Sequence, residues 1–136
     1  MTASPRRILL VDDSDSIRRM LDWILRPLGF ELLQASNGLE ALDVLRREPV
    51  DLAIVDLNMP LMDGISLVRE IRATPEWSEM PVIMMSTEGR DEDVRMALDA
   101  GVNLYLLKPS SPAVVRYKVL SLLGIVHLDG SKEGSR

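Results

Sequence analysis

Leu52-Ala53-Ile54-Val55-Asp56 is the segment on which the reading of the fold turns: four apolar residues in succession, closed by a carboxylate. Its length suits a strand, and its unbroken apolarity suits burial on both faces, as in a parallel sheet covered by helices. Three further runs share the pattern: Ile8-Leu9-Leu10-Val11, Val82-Ile83-Met84-Met85 and Leu104-Tyr105-Leu106-Leu107. A fifth, Phe30-Glu31-Leu32-Leu33-Gln34-Ala35, mixes polar and apolar residues and reads as an edge strand.

Helical periodicity fills the spaces between these runs. Ile17, Met20, Leu21, Ile24, Leu25 and Leu28 fall on one face, with arginines and Asp22 on the other. Ser14 is placed to cap that helix, Gly29 to close it, and Pro27 belongs in or beyond its last turn. A second helix is expected over 39–47, a third from Gly64 to before Pro75, a fourth over 91–100 and a fifth from Pro112 to Gly124. Five strand-then-helix units are too few for a closed eight-stranded barrel. The expected fold is therefore α/β: an open, doubly wound five-stranded parallel sheet with five flanking helices. Residues 1–126 form the expected domain, and 127–136 read as a polar, mobile tail.

Composition narrows the function classes. The 136-residue chain suits a single domain, with 46% hydrophobic and 27% charged residues. Without cysteine it has no disulfide framework or thiolate metal site, and one histidine excludes a multi-histidine zinc site. A formal charge of -5 gives no support to a nucleic-acid surface. No run approaches the about 18 apolar residues of a membrane span, and the first apolar run is too short for a secretory signal. A soluble cytoplasmic protein is expected, with no membrane insertion.

Ligands of open parallel sheets bind beyond the carboxyl ends of the strands. Asp12 and Asp13 follow the first strand here, and Asp56 ends the third. Ser86 follows the fourth and Lys108 the fifth. Singly, each has an ordinary explanation: a turn, a helix cap, a loop lysine. Their coincidence at the ends of four strands is what overturns those explanations. Three carboxylates on one rim repel unless a cation intervenes, and oxygen-only donors favour a hard ion such as Mg²⁺. One carboxylate oxygen then remains as a nucleophile, while Lys108 can neutralise phosphoryl oxygens and the Ser86 hydroxyl can donate to one of them.

The motifs Leu10-Val11-Asp12-Asp13, Ile54-Val55-Asp56-Leu57-Asn58-Met59-Pro60, Met62-Asp63-Gly64, Pro81-Val82-Ile83-Met84-Met85-Ser86 and Leu107-Lys108-Pro109 occur in this order. With them, residues 7–125 resemble the receiver domain of two-component response regulators, most closely the single-domain chemotaxis (CheY-like) type. The resemblance implies the flavodoxin-like strand order 2-1-3-4-5. It implies Asp56 as phosphoacceptor, and Mg²⁺ held by Asp12, Asp13, Asp56 and the Asn58 backbone carbonyl, with Asp12 acting mainly through water. Ser86 and Lys108 are implied to stabilise the phosphoryl group. Ser86 and Tyr105 would form the switch, Asn58 and Glu88 would tune dephosphorylation, and Pro109 would follow a cis bond. Three positions depart from the chemotaxis type: Ser110 replaces an aromatic, Leu104 replaces a small residue, and Ser110-Ser111-Pro112 opens the last helix.

The implied partners are a histidine kinase that donates the phosphoryl group and a protein target engaging the fourth helix, fifth strand and fifth helix. The protein would act as a signalling switch that catalyses its own phosphorylation and dephosphorylation, in chemotaxis or motility. That no output domain follows Ile125 favours this reading. The alternatives are a phosphorelay intermediate and the receiver fragment of a longer DNA-binding regulator. A non-signalling flavodoxin-like cofactor domain fits less well, because Asp12 and Asp13 replace a phosphate-cradling loop.

Overall fold

Residues 6–125 are described in the computed structural model, and five strand–helix units fill them. These are β1 (Arg7–Val11) and α1 (Asp15–Leu25), β2 (Glu31–Ala35) and α2 (Gly38–Arg47), β3 (Leu52–Asp56) and α3 (Gly64–Ala73), β4 (Val82–Ser86) and α4 (Asp91–Ala100), then β5 (Leu104–Leu107) and α5 (Pro112–Leu122). All four strand pairings are parallel, in the order β2-β1-β3-β4-β5. This is the architecture expected from the sequence. The tail expected at 127–136 lies outside the described residues.

Strand alternation divides the core in two. Leu9, Val11, Ala53, Val55, Val82 and Met84 point to one face, where Ala41 and Leu45 of α2, Leu67, Val68 and Ile71 of α3, and Ala97 of α4 cover them. Ile8, Leu10, Leu52, Ile54, Ile83 and Met85 point to the other, beneath Leu21, Ile24 and Leu25 of α1 and Val115 and Val119 of α5. Central β1, β3 and β4 are buried on both faces, which accounts for their unbroken apolar runs.

For β5 the same inference fails. It is an edge strand whose residues are only partly buried, and Leu107 is 52% exposed. Two causes combine: among the described residues no strand lies beyond it, and neighbouring α4 buries only Ala97. An apolar edge looks like an apolar centre when only the pattern is read.

Helix ends follow local chemistry. Ser14, Asn37, Asp63 and Ser111 each accept a backbone hydrogen bond at a helix N-terminus, at 2.7–3.3 Å. Helix α4 has no such side-chain bond and instead carries Asp91, Glu92 and Asp93 in its first turn, where acidic charge suits the dipole. The first helix is shorter than its apolar periodicity: α1 stops at Leu25, and Arg26–Leu28 continues as a 3-10 turn around Pro27, closed by Gly29 at φ 91°. Proline has no N–H to extend the ladder, which explains the change.

Several C-termini are held by arginines from distant elements. Arg116 Nε donates to the Ile24 carbonyl at 3.0 Å and Arg6 Nη1 to Leu123 at 2.7 Å. Arg72 donates to the carbonyls of Ser78, Met80 and Gly101 and to Asn103 Oδ1, over 2.7–3.1 Å, joining α3 to the end of α4. Burial depresses the Arg72 pKa from its ordinary value, with Glu79 acting in the opposite sense.

Leu61, in the loop between β3 and α3, is 77% exposed at φ 70°. A leucine Cβ is crowded in this left-handed region, at a cost of about 1–2 kcal/mol, whereas asparagine tolerates it. Leu61→Asn is expected to raise unfolding stability by about 1 kcal/mol, read from the urea midpoint at unchanged slope. An unchanged or lowered midpoint would show that the exposed side chain contributes more than the backbone loses.

Candidate functional site

The carboxyl ends of β1, β3, β4 and β5 meet on one rim because the strands are parallel and in close register. Val11 lies opposite Val55, Asp56 opposite Met85, and Ser86 opposite Leu107. Asp12 follows β1, Asp56 and Ser86 are the last residues of β3 and β4, and Lys108 follows β5. Beyond β3 the chain bends back so tightly that a Cβ on Gly64 would lie 2.3 Å from the Asp56 carbonyl oxygen. Only glycine admits that approach, so Gly64 helps fix the loop carrying Asn58 against the end of the strand.

Asp12, Asp13 and Asp56 each offer a carboxylate oxygen within 4.8 Å of the others. Asp12 and Asp56 are buried and Asp13 is exposed. Lys108 Nζ spans the cluster, donating to Asp12 Oδ2 at 2.8 Å and Asp56 Oδ1 at 3.0 Å. The other Asp12 oxygen accepts from the Ser14 backbone N–H at 3.0 Å. Ser86 Oγ accepts from the Glu88 N–H at 3.0 Å, and the Ser86 carbonyl accepts from the Lys108 N–H at 2.8 Å. The loops after β4 and β5 are thus tied at the base of the site.

Three carboxylates face one ammonium. Burial raises the Asp56 pKa, the Lys108 hydrogen bond opposes that rise, and the charges of Asp12 and Asp13 add to it. For Lys108, burial pulls the pKa down, but Asp12 and Asp56 outweigh it and the net direction is up. The ammonium therefore stays charged while the carboxylate beside it resists ionisation. Such a group of oxygen donors, lacking nitrogen or sulfur, suits a hard divalent cation.

The remaining residues singled out in the sequence lie around this cluster. Tyr105 on β5 donates its hydroxyl to the Glu88 carbonyl at 2.5 Å. The Glu88 carboxylate lies 4.0 Å from Arg90. Asn58 is exposed two residues beyond Asp56. The Lys108–Pro109 peptide is cis. Among the departures, Ser110 Oγ donates to the Leu107 carbonyl at 2.6 Å, and Ser111 caps α5.

Sequence reasoning missed two contacts. Lys108 was expected on phosphoryl oxygens, yet it also holds Asp12. The periodicity of α1 places its arginines on the outer side with Asp22, yet Arg18 folds back to donate to the Asp12 carbonyl as well as to Asp15. Only the spacing between Arg18 and the Asp12-Asp13 pair hinted at this, and helical periodicity hid it.

An open parallel sheet with a lysine-bridged acid cluster at its carboxyl edge places the chain in the doubly wound, flavodoxin-like class of α/β domain. Residues 8–120 match the model of the response regulator receiver domain, and the chain belongs to that family. It is 43% identical over 131 residues to the Chemotaxis protein CheY homolog of Campylobacter jejuni, spanning 95% of this chain and 98% of that one. Among solved structures it is similar to the chemotaxis protein CheY4 of Vibrio cholerae, with a TM-score of 0.81 and 32% identity over 85% of this chain and 97% of that one. The receiver domain of the sensor histidine kinase PA1611 of Pseudomonas aeruginosa has a TM-score of 0.82 and 30% identity over 89% and 99% of the two chains. That structure holds a magnesium ion coordinated in its active-site cleft.

The raised Asp56 pKa gives a signed expectation. A carboxyl whose pKa is higher in the folded state opposes folding once ionised. The penalty is complete above the folded pKa and fades as pH falls toward the ordinary value of about 3.9. In EDTA, Asp56→Asn is therefore expected to melt above the parent at about pH 7.5, and the gap should narrow toward about pH 4. A gap of the same size at both pH values would remove ionisation as its source.

Proposed function

We propose that this receiver accepts a phosphoryl group on Asp56 from the phosphohistidine of a histidine kinase and passes the signal to a protein target in chemotaxis or motility. The observation that carries the reading is the Asp12–Asp13–Asp56 cluster spanned by Lys108 at the carboxyl rim. Its all-oxygen donor set fits Mg²⁺, with Asp12, Asp13, Asp56 and the Asn58 carbonyl as the residues to hold it. Bound there, Mg²⁺ supplies charge neutralisation on the phosphoryl oxygens and orients them.

An Asp56 carboxylate oxygen attacks phosphorus as the bond to the histidine nitrogen breaks, giving an acyl phosphate and a free imidazole. Lys108 offsets charge on the transferred group, and Ser86 donates its hydroxyl to one of its oxygens. Attack by water later returns Asp56 and inorganic phosphate, with Asn58 and Glu88 flanking the approach and tuning the rate.

Turning Ser86 toward the new dianion breaks its bond to the Glu88 N–H. The Tyr105 hydroxyl is bonded to that residue's carbonyl, so rearrangement of the loop reaches β5 directly. The phosphoryl group biases states already accessible, and the α4–β5–α5 face changes shape. Exposed Met96, Leu107 and Val114 give that face apolar surface for a target. The chemotaxis protein of C. jejuni, matched over 98% of its own length, favours this output over a phosphorelay.

Acetyl phosphate with Mg²⁺ is expected to label the parent and not Asp56→Asn, as read by intact mass. Asp13→Ala should weaken Mg²⁺ binding by more than the about tenfold that follows loss of an outer-shell partner. Magnesium-independent labelling retained in both variants would refute the assignment.

A further inference from the structure

The acid cluster has an anchor outside the carboxylates. Arg18 lies one turn into α1, and its side chain is only 12% exposed. Its guanidinium reaches three elements: Nη1 donates to the Asp12 backbone carbonyl, Nη2 to Asp15, and Nε to Gln34 Oε1 on β2 at 2.9 Å. The Asp12 carbonyl belongs to the peptide that joins Asp12 to Asp13, so fixing it fixes the plane from which both aspartates depart. Asp12 has further support from Ser14 and Lys108. Asp13 is exposed and follows directly on the anchored peptide.

We infer that Arg18 is a positioning residue for the cation site: its fork locks the Asp12–Asp13 peptide between α1 and β2, so that both carboxylates face the cation. The inference rests on the reading of the rim as a Mg²⁺-dependent phosphoacceptor site. Arg18 bonds the Asp12 backbone carbonyl, Asp15 and Gln34 rather than the carboxylates of the rim, and acts through Asp12 and Asp13.

Charge and geometry predict opposite outcomes. A positive charge beside a cation site weakens metal binding, so charge alone would make Arg18→Gln bind Mg²⁺ more tightly. Loss of the fork lets the turn relax and weakens binding. Lysine keeps the charge but cannot present a planar fork to three acceptors. Positioning therefore requires that Arg18→Lys fail to rescue.

The test titrates Mg²⁺ into the full chain and into Arg18→Gln and Arg18→Lys by calorimetry, with amide NMR shifts of Asp12 and Asp13 followed in parallel. Both variants are expected to bind about tenfold more weakly, the magnitude typical of outer-shell partners. Acetyl phosphate labelling should need correspondingly more Mg²⁺ yet reach the parent rate at saturation. Melting in EDTA shows whether each variant is folded. If Arg18→Gln unfolds, the Arg18→Lys titration decides alone.

Tighter binding by Arg18→Gln with parental binding by Arg18→Lys would overturn positioning in favour of charge. Parental affinity in both variants would also overturn it. Failure of the parent itself to bind Mg²⁺ would instead overturn the underlying reading of the rim.

Discussion

One ammonium group holds the rim together. Lys108 reaches the site from the far side of the sheet and bonds the ends of β1 and β3 at once. Without it, buried Asp12 and Asp56 would face each other with no side chain of opposite charge bonded to both carboxylates, which low-dielectric surroundings make costly. The parallel sheet brings the acids together, and β5 supplies the charge that lets them stay. Because three carboxylates share one ammonium, the charge balance remains incomplete, and the site keeps its demand for positive charge.

The fold was legible because its dominant forces write simple patterns. Central strands are sealed by helices on both faces, so Ile8 to Val11 and Leu52 to Val55 had to be unbroken apolar runs. Four helix caps use residues whose short side chains favour that position. What escaped was contact between elements far apart in sequence. Arg72 meets Gly101, and Arg116 meets Ile24, through backbone acceptors that every residue carries. A carbonyl leaves no mark in a sequence, so its arginine reads as a surface charge. For β5 the difficulty was the reverse: its apolar run was plain, but its place at the sheet edge depends on topology.

The candidate site was legible for a related reason. Carboxylates, a hydroxyl and a lysine are conspicuous at strand ends, and parallel topology gathers strand ends together. The partners of those groups were less so. Ser86 Oγ is engaged with the Glu88 N–H, and Tyr105 with the Glu88 carbonyl, so one residue joins the rim to the outer face of β5. Helix α4, which borders that face, buries a single alanine and lacks a side-chain cap. The face proposed to change shape is thus bordered by a helix with few internal commitments.

Arg72 works under different rules from the rim. All its acceptors are uncharged oxygens. Dissolved electrolyte attenuates attraction between ions over roughly 10 Å at about 0.1 M, but short bonds to carbonyl dipoles persist. The clasp that joins α3 to the end of α4 therefore rests on dipoles rather than on paired charges, and dissolved salt has little to weaken there.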